Sequence, residues 1–269
     1  MTAELTKSSR GRETMREKLE GLYCLYNHRK YVHPDPLEFL YDYPDPLDME
    51  LVGLIASSLA YGRVAQILKS VSAILEKTGG APRAFLMKSS GKTLRSTFAG
   101  FKHRFTTGDE IAAMLFRTRE LIEEHGSLYE CFLTSFDKEG ETVVPALSAF
   151  VKKFNGDNPD SKSSLMPDPA RGSACKRLNL FLRWMVREDN VDPGGWGCVP
   201  PSKLVIPLDT HMYRICSTLD MTCRKQADML TALEITGYFR NISPGDPVRY
   251  DFAITRLGIR KDDGLEISL

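Results

Sequence analysis

The sequence lacks the features of a membrane or exported protein. No stretch approaches the roughly 18 consecutive apolar residues of a membrane-spanning helix. Residues 1–4 do not open a basic segment followed by an apolar one, as a signal peptide would. The sequence therefore predicts a cytoplasmic protein that does not enter a membrane.

Cysteines at the spacing of a metal site are also lacking. The chain has six cysteines, and they are scattered. Its only close pair, Cys216 and Cys223, has no partners at the spacing of zinc or iron–sulfur ligands. We therefore expect reduced thiols, no bound metal, no iron–sulfur cluster and no cofactor.

An excess of charge of one sign is lacking as well. The formal net charge of +1 neither favours nor excludes nucleic acid, since that question depends on how charge is distributed. The distribution is uneven, because residues 7–18 are basic and residues 171–187 carry no acid. A solvated helix face is the simpler explanation for such a run. The cations of the second run are Arg171, Lys176, Arg177, Arg183 and Arg187.

What the sequence does contain is helical periodicity. Residues 51–59 place apolar side chains at helical spacing behind Asp48, a good N-cap, and residues 64–75 repeat the pattern. Further helices are predicted behind Asp109 and over residues 147–154. No run alternates in the manner of a strand, and there is no internal repeat. With 42% hydrophobic residues, the composition is that of an ordinary globular chain, and the pattern predicts an all-α fold.

A connector and an apolar helix follow. Residues 155–172 are rich in turn-forming residues and predict a loop. Residues 176–187 predict a helix, capped by Ser173, that is apolar on most sides and carries its polar residues on one face. Such a helix should be buried on most of its surface.

Three short helices are predicted to complete the chain, and the N-terminus is predicted to be disordered. Residues 1–9 are rich in Ser, Thr and Lys, and termini of this kind are often disordered. The three helices are expected to begin after Asp209 or Thr210, after Thr222, and after Asp246-Pro247.

The most informative feature is a lysine and an aspartate 33 residues apart. Lys176 begins the apolar helix, and Asp209 stands in the string Pro207-Leu208-Asp209-Thr210-His211-Met212-Tyr213-Arg214-Ile215. An amine that faces a carboxylate can act as a nucleophile with an acid–base partner. The alternatives are a surface lysine and an aspartate that only caps a helix.

These residues resemble the motifs of the helix-hairpin-helix DNA glycosylase superfamily, the group of endonuclease III, adenine glycosylase and 8-oxoguanine glycosylase. Its members carry a Val-Asp-Thr-His-Val-x-Arg-Val string whose aspartate is catalytic. Bifunctional members have a catalytic lysine at the start of the preceding helix. Residues 51–60 are similar to the early core helix of the superfamily and residues 246–258 to a late one, so the similarity covers most of residues 45–260. The chain as a whole resembles a bacterial family to which no activity is assigned.

The resemblance implies an all-α fold of two lobes with a central cleft. One lobe is a helical barrel with a degenerate hairpin, residues 47–187, and the other combines residues 10–46 with 188–269. The implied function is excision of a damaged base from double-stranded DNA, with strand cleavage through a Schiff base on Lys176. Asp209 would stabilise the positive charge on the sugar or deprotonate the amine.

The sequence departs from the superfamily pattern at three places. Family hairpins usually read Leu-Pro-Gly-x-Gly, whereas residues 165–175 keep only Gly172. The glutamine that many members insert into DNA is absent, and Tyr61-Gly62-Arg63 stands in its place. The four-cysteine iron–sulfur loop of endonuclease III is missing. The spacing of Lys176 and Asp209 is similar to that of the archaeal 8-oxoguanine glycosylase branch.

Further residues are candidates for contacts with DNA and with the flipped base. Tyr61 and Arg63 are the candidates for a wedge. The alternative for His211 is packing or capping, and the alternative for Phe181 and Trp184 is a core position. The other candidates for DNA binding are Arg171, Gly172, Ser173, Arg177, Arg183 and His211, and those for the pocket wall are Trp196, Phe181 and Trp184.

Two other functions remain open at this point. A helical nucleic-acid-binding protein could keep the scaffold without catalysis, which the reduced hairpin and the near-neutral charge favour. An enzyme acting on another nucleic acid or on a nucleoside is the third possibility.

Overall fold

Helix α2 (Pro46–Ser58) lies at the centre of the fold, because every residue from Met49 to Ser58 is buried. The computed structural model describes residues 2–156 and 163–259, with side chains described for residues 14–156 and 163–256. In this part of the chain the protein is predominantly helical, as the periodicity predicts. Part of the predicted loop at 155–172, residues 157–162, lies outside the described residues, as does Met1.

The described residues form twelve α-helices and one short hairpin of two antiparallel strands. The hairpin pairs Lys102 with Thr107 and His103 with Thr106, and the sequence analysis did not predict it. The elements besides α2 are α1 (Thr2–Tyr26), α3 (Val64–Leu75), α4 (Pro82–Lys88), α5 (Gly91–Phe98), β1 (Lys102–His103), β2 (Thr106–Thr107), α6 (Gly108–His125), α7 (Leu128–Leu133), α8 (Val144–Asn155), α9 (Lys176–Val186), α10 (Thr210–Thr218), α11 (Met229–Ile242) and α12 (Asp251–Ile259).

Several helices begin at residues other than those expected. Asp45 caps α2 and is followed by proline, while Asp48 accepts a hydrogen bond from the amide of Arg83 at the start of α4. A capping box of Thr107 and Glu110 begins α6, and Asp228 caps α11. The structure also places residues 2–9, which we expected to be disordered, in α1.

Helix α9 packs closely against α2, and this contact positions the site. A Cβ atom at Gly53 of α2 would lie 3.2 Å from Sδ of Met185 and 3.4 Å from the ring of Phe181. A larger residue at this position would require Met185 and Phe181 to shift, so the glycine favours the close approach of the two helices. Most buried apolar side chains form one connected core that includes residues of both predicted lobes. The amino end of α9 emerges from this core beside the loop that follows α2.

Candidate active site

The structure brings the amine of Lys176 and the carboxylate of Asp209 together. Nζ of Lys176 lies 3.5 Å from Oδ2 of Asp209 and 3.5 Å from the carbonyl oxygen of Ala60. The two side chains are 31% and 38% exposed. Both groups are therefore near each other and within reach of a ligand.

The two carboxylate oxygens of Asp209 have different surroundings. Oδ1 accepts hydrogen bonds from the amides of His211 and Met212, both at 2.9 Å, and so caps α10. Oδ2 faces Lys176. Capping and a role opposite the amine are thus compatible, since each uses one oxygen. The cap also fixes the direction of the carboxylate.

Helix α9 begins without a side-chain cap. Its N-cap position is held by Cys175, whose φ of 47° is left-handed, and not by Ser173 as expected. The Ser173 hydroxyl accepts a hydrogen bond from the Cys175 amide at 3.2 Å, and the Cys175 thiol donates to the Pro167 carbonyl at 3.3 Å. Burial raises the pKa of the Cys175 thiol to about 11. This backbone turn places Lys176 at the mouth of the cleft.

Two adjoining cavities form the cleft, with volumes of about 300 and 460 Å³. The smaller one extends towards α12, and the larger one towards Pro167 and Ser173. Cavities of this size match small-molecule and cofactor sites. Both are lined by Ala60, Gly62, Ile67, Lys176 and Asp209.

The smaller cavity has charged walls that sequence reasoning missed. Asp251 at the start of α12 is 3% exposed, and its Oδ1 has no hydrogen-bond partner among the described residues. Burial raises the pKa of Asp251, and the neighbouring Arg183 opposes this effect. Asp35 and Arg256 form an ion pair in the same wall. No motif marks Asp251, because a single acid at the start of a helix is usually only a dipole partner.

Arg183 is buried in the wall of the smaller cavity, and its guanidinium is already paired, so the structure does not support its predicted contact with a DNA phosphate. Only 3% of the residue is exposed, and its guanidinium is paired with Asp192 at 2.9 Å and with Asp251. Arg187 also pairs with Asp192. The polar face of α9 therefore binds buried carboxylates, and burial requires that these charges be paired.

The three aromatic residues proposed for a base pocket are core residues, and that prediction is wrong. Phe181, Trp184 and Trp196 are at most 2% exposed, and none of them lines either cavity of the cleft. Trp196 stacks on Tyr129 with ring centroids 5.3 Å apart and meets Phe181 edge to face. Large apolar side chains at helical spacing are more often core than pocket.

Tyr61 is held in place and is not free to act as a wedge. Its hydroxyl donates to the carbonyl of His103 at 2.9 Å and lies 2.7 Å from Oγ1 of Thr106. Arg177, which packs over the Tyr61 ring, donates to the carbonyls of Ser58 and Ser164. Both residues thus stabilise the loop after α2. Arg63 is exposed at the start of α3.

The remaining candidates lie around the cleft. Arg171, Gly172 and Ser173 are exposed, and Ser173 lines the larger cavity. The Gly172 amide donates to the Pro169 carbonyl at 3.0 Å, so it is already bonded within its own turn. His211 lines the smaller cavity, and its Nε2 is buried without a hydrogen-bond partner among the described residues.

The described residues contain no group of three or more His, Cys, Asp or Glu side chains placed to hold a metal ion. None of their helices combines the length and the apolar character that crossing a bilayer requires.

Comparison with known proteins gives one match. Residues 35–260 match the family model described as "Protein of unknown function (DUF2400)". The chain belongs to this family. The matched DUF2400 segment includes α2 to α12 and every residue that lines the cleft except Pro34, whereas α1 lies outside it. Searches of curated proteins and of solved structures found no match.

Proposed function

We propose that this protein excises a damaged base from double-stranded DNA and cleaves the strand through a Schiff base on Lys176. The observation that carries the proposal is the 3.5 Å approach of the Lys176 amine to the Asp209 carboxylate in an open cleft. A nucleophile and its base must lie within reach of each other and of a ligand. A two-lobed fold of the helix-hairpin-helix glycosylase type is part of this proposal.

Lys176 and Asp209 can together carry out base release without a net gain or loss of protons. The Lys176 ammonium first passes a proton to Asp209, and the neutral amine then attacks C1′ of the sugar. The new C1′–N bond forms as the bond between C1′ and the base breaks. The electron pair of the broken bond leaves with the base. Asp209 returns its proton to the departing base. Transfer of a proton from the amine to the ring oxygen then opens the sugar and leaves the Schiff base.

The local geometry supports this proposal. Lys176 is the first residue of α9, so its amine is carried at the amino end of a helix that is fixed in the core. The Asp209 carboxylate is directed at the amine by its cap, so little reorganisation is needed for proton transfer. The cleft beside the pair can hold a nucleotide that has been turned out of the duplex.

A non-catalytic nucleic-acid-binding protein is the second candidate. It is favoured by the Gly172 amide, which is bonded to Pro169 and so does not point to a phosphate. Such a protein would use the exposed cations around the cleft without chemistry at Lys176. The two candidates differ in whether a covalent adduct with DNA forms.

Borohydride trapping tests the proposal. Wild-type protein and Lys176→Gln are incubated with duplexes that carry an abasic site or one of a panel of damaged bases. We expect a covalent adduct and strand cleavage with the wild type only, while Lys176→Gln binds the same duplexes nearly as well.

Lys69→Gln is the matched control, since Lys69 is an exposed lysine of α3 outside the cleft. It should trap like the wild type. Equal trapping by Lys176→Gln would assign the nucleophile to another amine. Binding without trapping by the wild type on every substrate would favour the non-catalytic protein.

A further inference from the structure

Phe105 is an aromatic side chain held in solvent at the tip of the β1–β2 hairpin. It is 80% exposed, and the next most exposed large hydrophobic residue of the described chain, Leu230, is 59% exposed. Its neighbours His103 and Thr106 are buried. The hairpin therefore presents one ring to solvent and not an apolar patch.

The hairpin is anchored to the loop that borders the cleft. The Tyr61 hydroxyl bonds to both strands, and Nε2 of the His103 ring lies 3.1 Å from the Tyr61 carbonyl. Because a carbonyl only accepts, Nε2 donates there, and Nδ1 accepts from the Ser70 hydroxyl at 2.9 Å. Burial lowers the pKa of His103, which keeps this neutral ring arrangement. Phe105 is thus carried on a fixed support.

The turn adjoins the cleft through Arg104. This residue has a φ of 52°, a left-handed conformation that glycine usually supplies at the first position of a two-residue hairpin turn. Its Cδ lies 2.8 Å from where a Cβ of Gly62 would be, and Gly62 lines both cavities. The guanidinium is 5.5 Å from the Phe105 ring centroid. Strain of this kind at the edge of a cleft is a sign of function.

The charges around the ring favour nucleic acid. Arg104, Lys102 and the nearby Arg63 are exposed cations. Of the acids close in sequence, Glu110 is engaged in the capping box with Thr107, and Asp109 is exposed at the start of α6. An aromatic ring among cations suits a base stack between phosphates, and apolar side chains are known to wedge between base steps.

We propose that Phe105 inserts into the base stack beside the nucleotide that enters the Lys176–Asp209 cleft, and thereby fills the gap in the duplex. This inference rests on the proposed function and assigns to the hairpin the wedge that Tyr61 cannot provide. Extruding a nucleotide costs unstacking energy, which an inserted ring offsets. Arg104 and Lys102 then lie close to the phosphates on either side.

The test uses a duplex with 2-aminopurine next to a tetrahydrofuran abasic analogue. Binding of the wild type should lower the 2-aminopurine fluorescence, because the Phe105 ring fills the gap and stacks on the 2-aminopurine. Phe105→Ala should lose most of this decrease and bind about 5- to 150-fold more weakly, the range for loss of one stacked base. Phe105→Tyr should restore both signals.

Phe116→Ala is the matched control, because it removes the same side chain from a surface of α6 that does not line the cleft. It should behave like the wild type. Since Phe105 is exposed, Phe105→Ala should keep the wild-type melting temperature, which separates loss of contact from loss of folding.

These measurements distinguish failure of the wedge proposal from failure of the proposed function. If the wild type traps abasic DNA but Phe105→Ala gives unchanged fluorescence and affinity, the wedge is refuted and the proposed function stands. If the wild type neither binds nor traps any duplex, both proposals fail. Flotation with vesicles of phosphatidylcholine and phosphatidylserine is the third arm. Vesicle binding that depends on Phe105, with DNA binding unchanged by Phe105→Ala, would identify the hairpin as a membrane contact and overturn the wedge.

Discussion

Asp209 combines a structural and a chemical role in one carboxylate. One oxygen caps α10 and the other faces Lys176. The two roles can be separated by substitution, because asparagine caps a helix about as well as aspartate but carries no charge.

We predict that Asp209→Asn slows base release by about 100-fold or more, since it removes the charge that accepts the proton and stabilises the sugar cation. The free energy of unfolding should change by less than about 0.5 kcal/mol, whereas Asp209→Ala should cost about 1 kcal/mol. Single-turnover kinetics and urea unfolding measure the two effects.

Asp45→Asn is the matched control, since Asp45 caps α2 in the same way without facing an amine. It should leave base release unchanged. If Asp209→Asn retained full activity on a substrate that the wild type cleaves, the carboxylate would be a cap only.

At the same scale, sequence reasoning identified the pair but misassigned its neighbours. The string around Asp209 and the position of Lys176 were sufficient to predict that they face each other. The sequence predicts an exposed polar face for α9, although Arg183 pairs with Asp192 in the next loop and with Asp251 of α12. Helical spacing shows which residues share a face, but not what that face contacts.

Among the elements, helices were predictable and the hairpin was not. Apolar periodicity over several turns indicates a helix, whereas two strands of two residues each give no alternating pattern. The start of α2 was misplaced because both Asp45 and Asp48 are good caps, and Pro46 decides between them. The hairpin that carries Phe105 is therefore seen only in the structure.

Glu50 links α2 to α7 and makes this packing sensitive to pH. It is 1% exposed and accepts hydrogen bonds from the amides of Leu128 and Tyr129 at 2.8 and 3.1 Å. Burial raises the pKa of Glu50 from 4.5 to about 7, although the two amides oppose the shift. The folded chain therefore binds more protons than the unfolded chain between these pH values.

We predict that stability falls as pH rises from about 4.5 to 7, because a raised carboxyl pKa stabilises the fold only while the group is protonated. The contribution of Glu50 to this fall is up to about 3 kcal/mol, at about 1.4 kcal/mol per pKa unit. Urea unfolding at pH 5 and pH 7.5 measures it.

The same measurement on Glu50→Gln should show a smaller fall, since glutamine does not titrate. Glu139→Gln, which alters an exposed carboxylate, should keep the wild-type fall. Parallel curves for the wild type and Glu50→Gln would show that Glu50 is ionised throughout this range.

For the whole molecule, buried ion pairs join segments that are far apart in sequence. Arg183 of α9 and Arg187, which directly follows α9, bind Asp192 in the next loop, and they also bind Asp251 and Asp246, respectively, at and before the start of α12. The network forms part of the cleft wall, since Arg183 and Asp251 line the smaller cavity. The positions of the cleft walls thus depend on the pairing of these charges.

We predict that Arg183→Ala destabilises the fold by about 3–5 kcal/mol, because it leaves Asp192 and Asp251 buried with fewer partners. Arg119→Ala, which removes a more exposed pair with Glu123, should cost about 1 kcal/mol or less. Thermal or urea unfolding gives both values. A loss of DNA affinity without a loss of stability in Arg183→Ala would contradict the buried role.

The matched family segment does not include helix α1, although α1 packs against the rest of the protein. Helix α1 lies outside residues 35–260, yet Leu19, Leu22 and Tyr26 are buried, and Glu20 binds Arg249 and Tyr250 beside α12. A protein trimmed to the matched segment would expose the apolar surface that α1 covers, and exposed surface of this kind promotes aggregation. If such a fragment were inactive, the cause would be its poor solubility, and the result would not test the chemistry of the cleft.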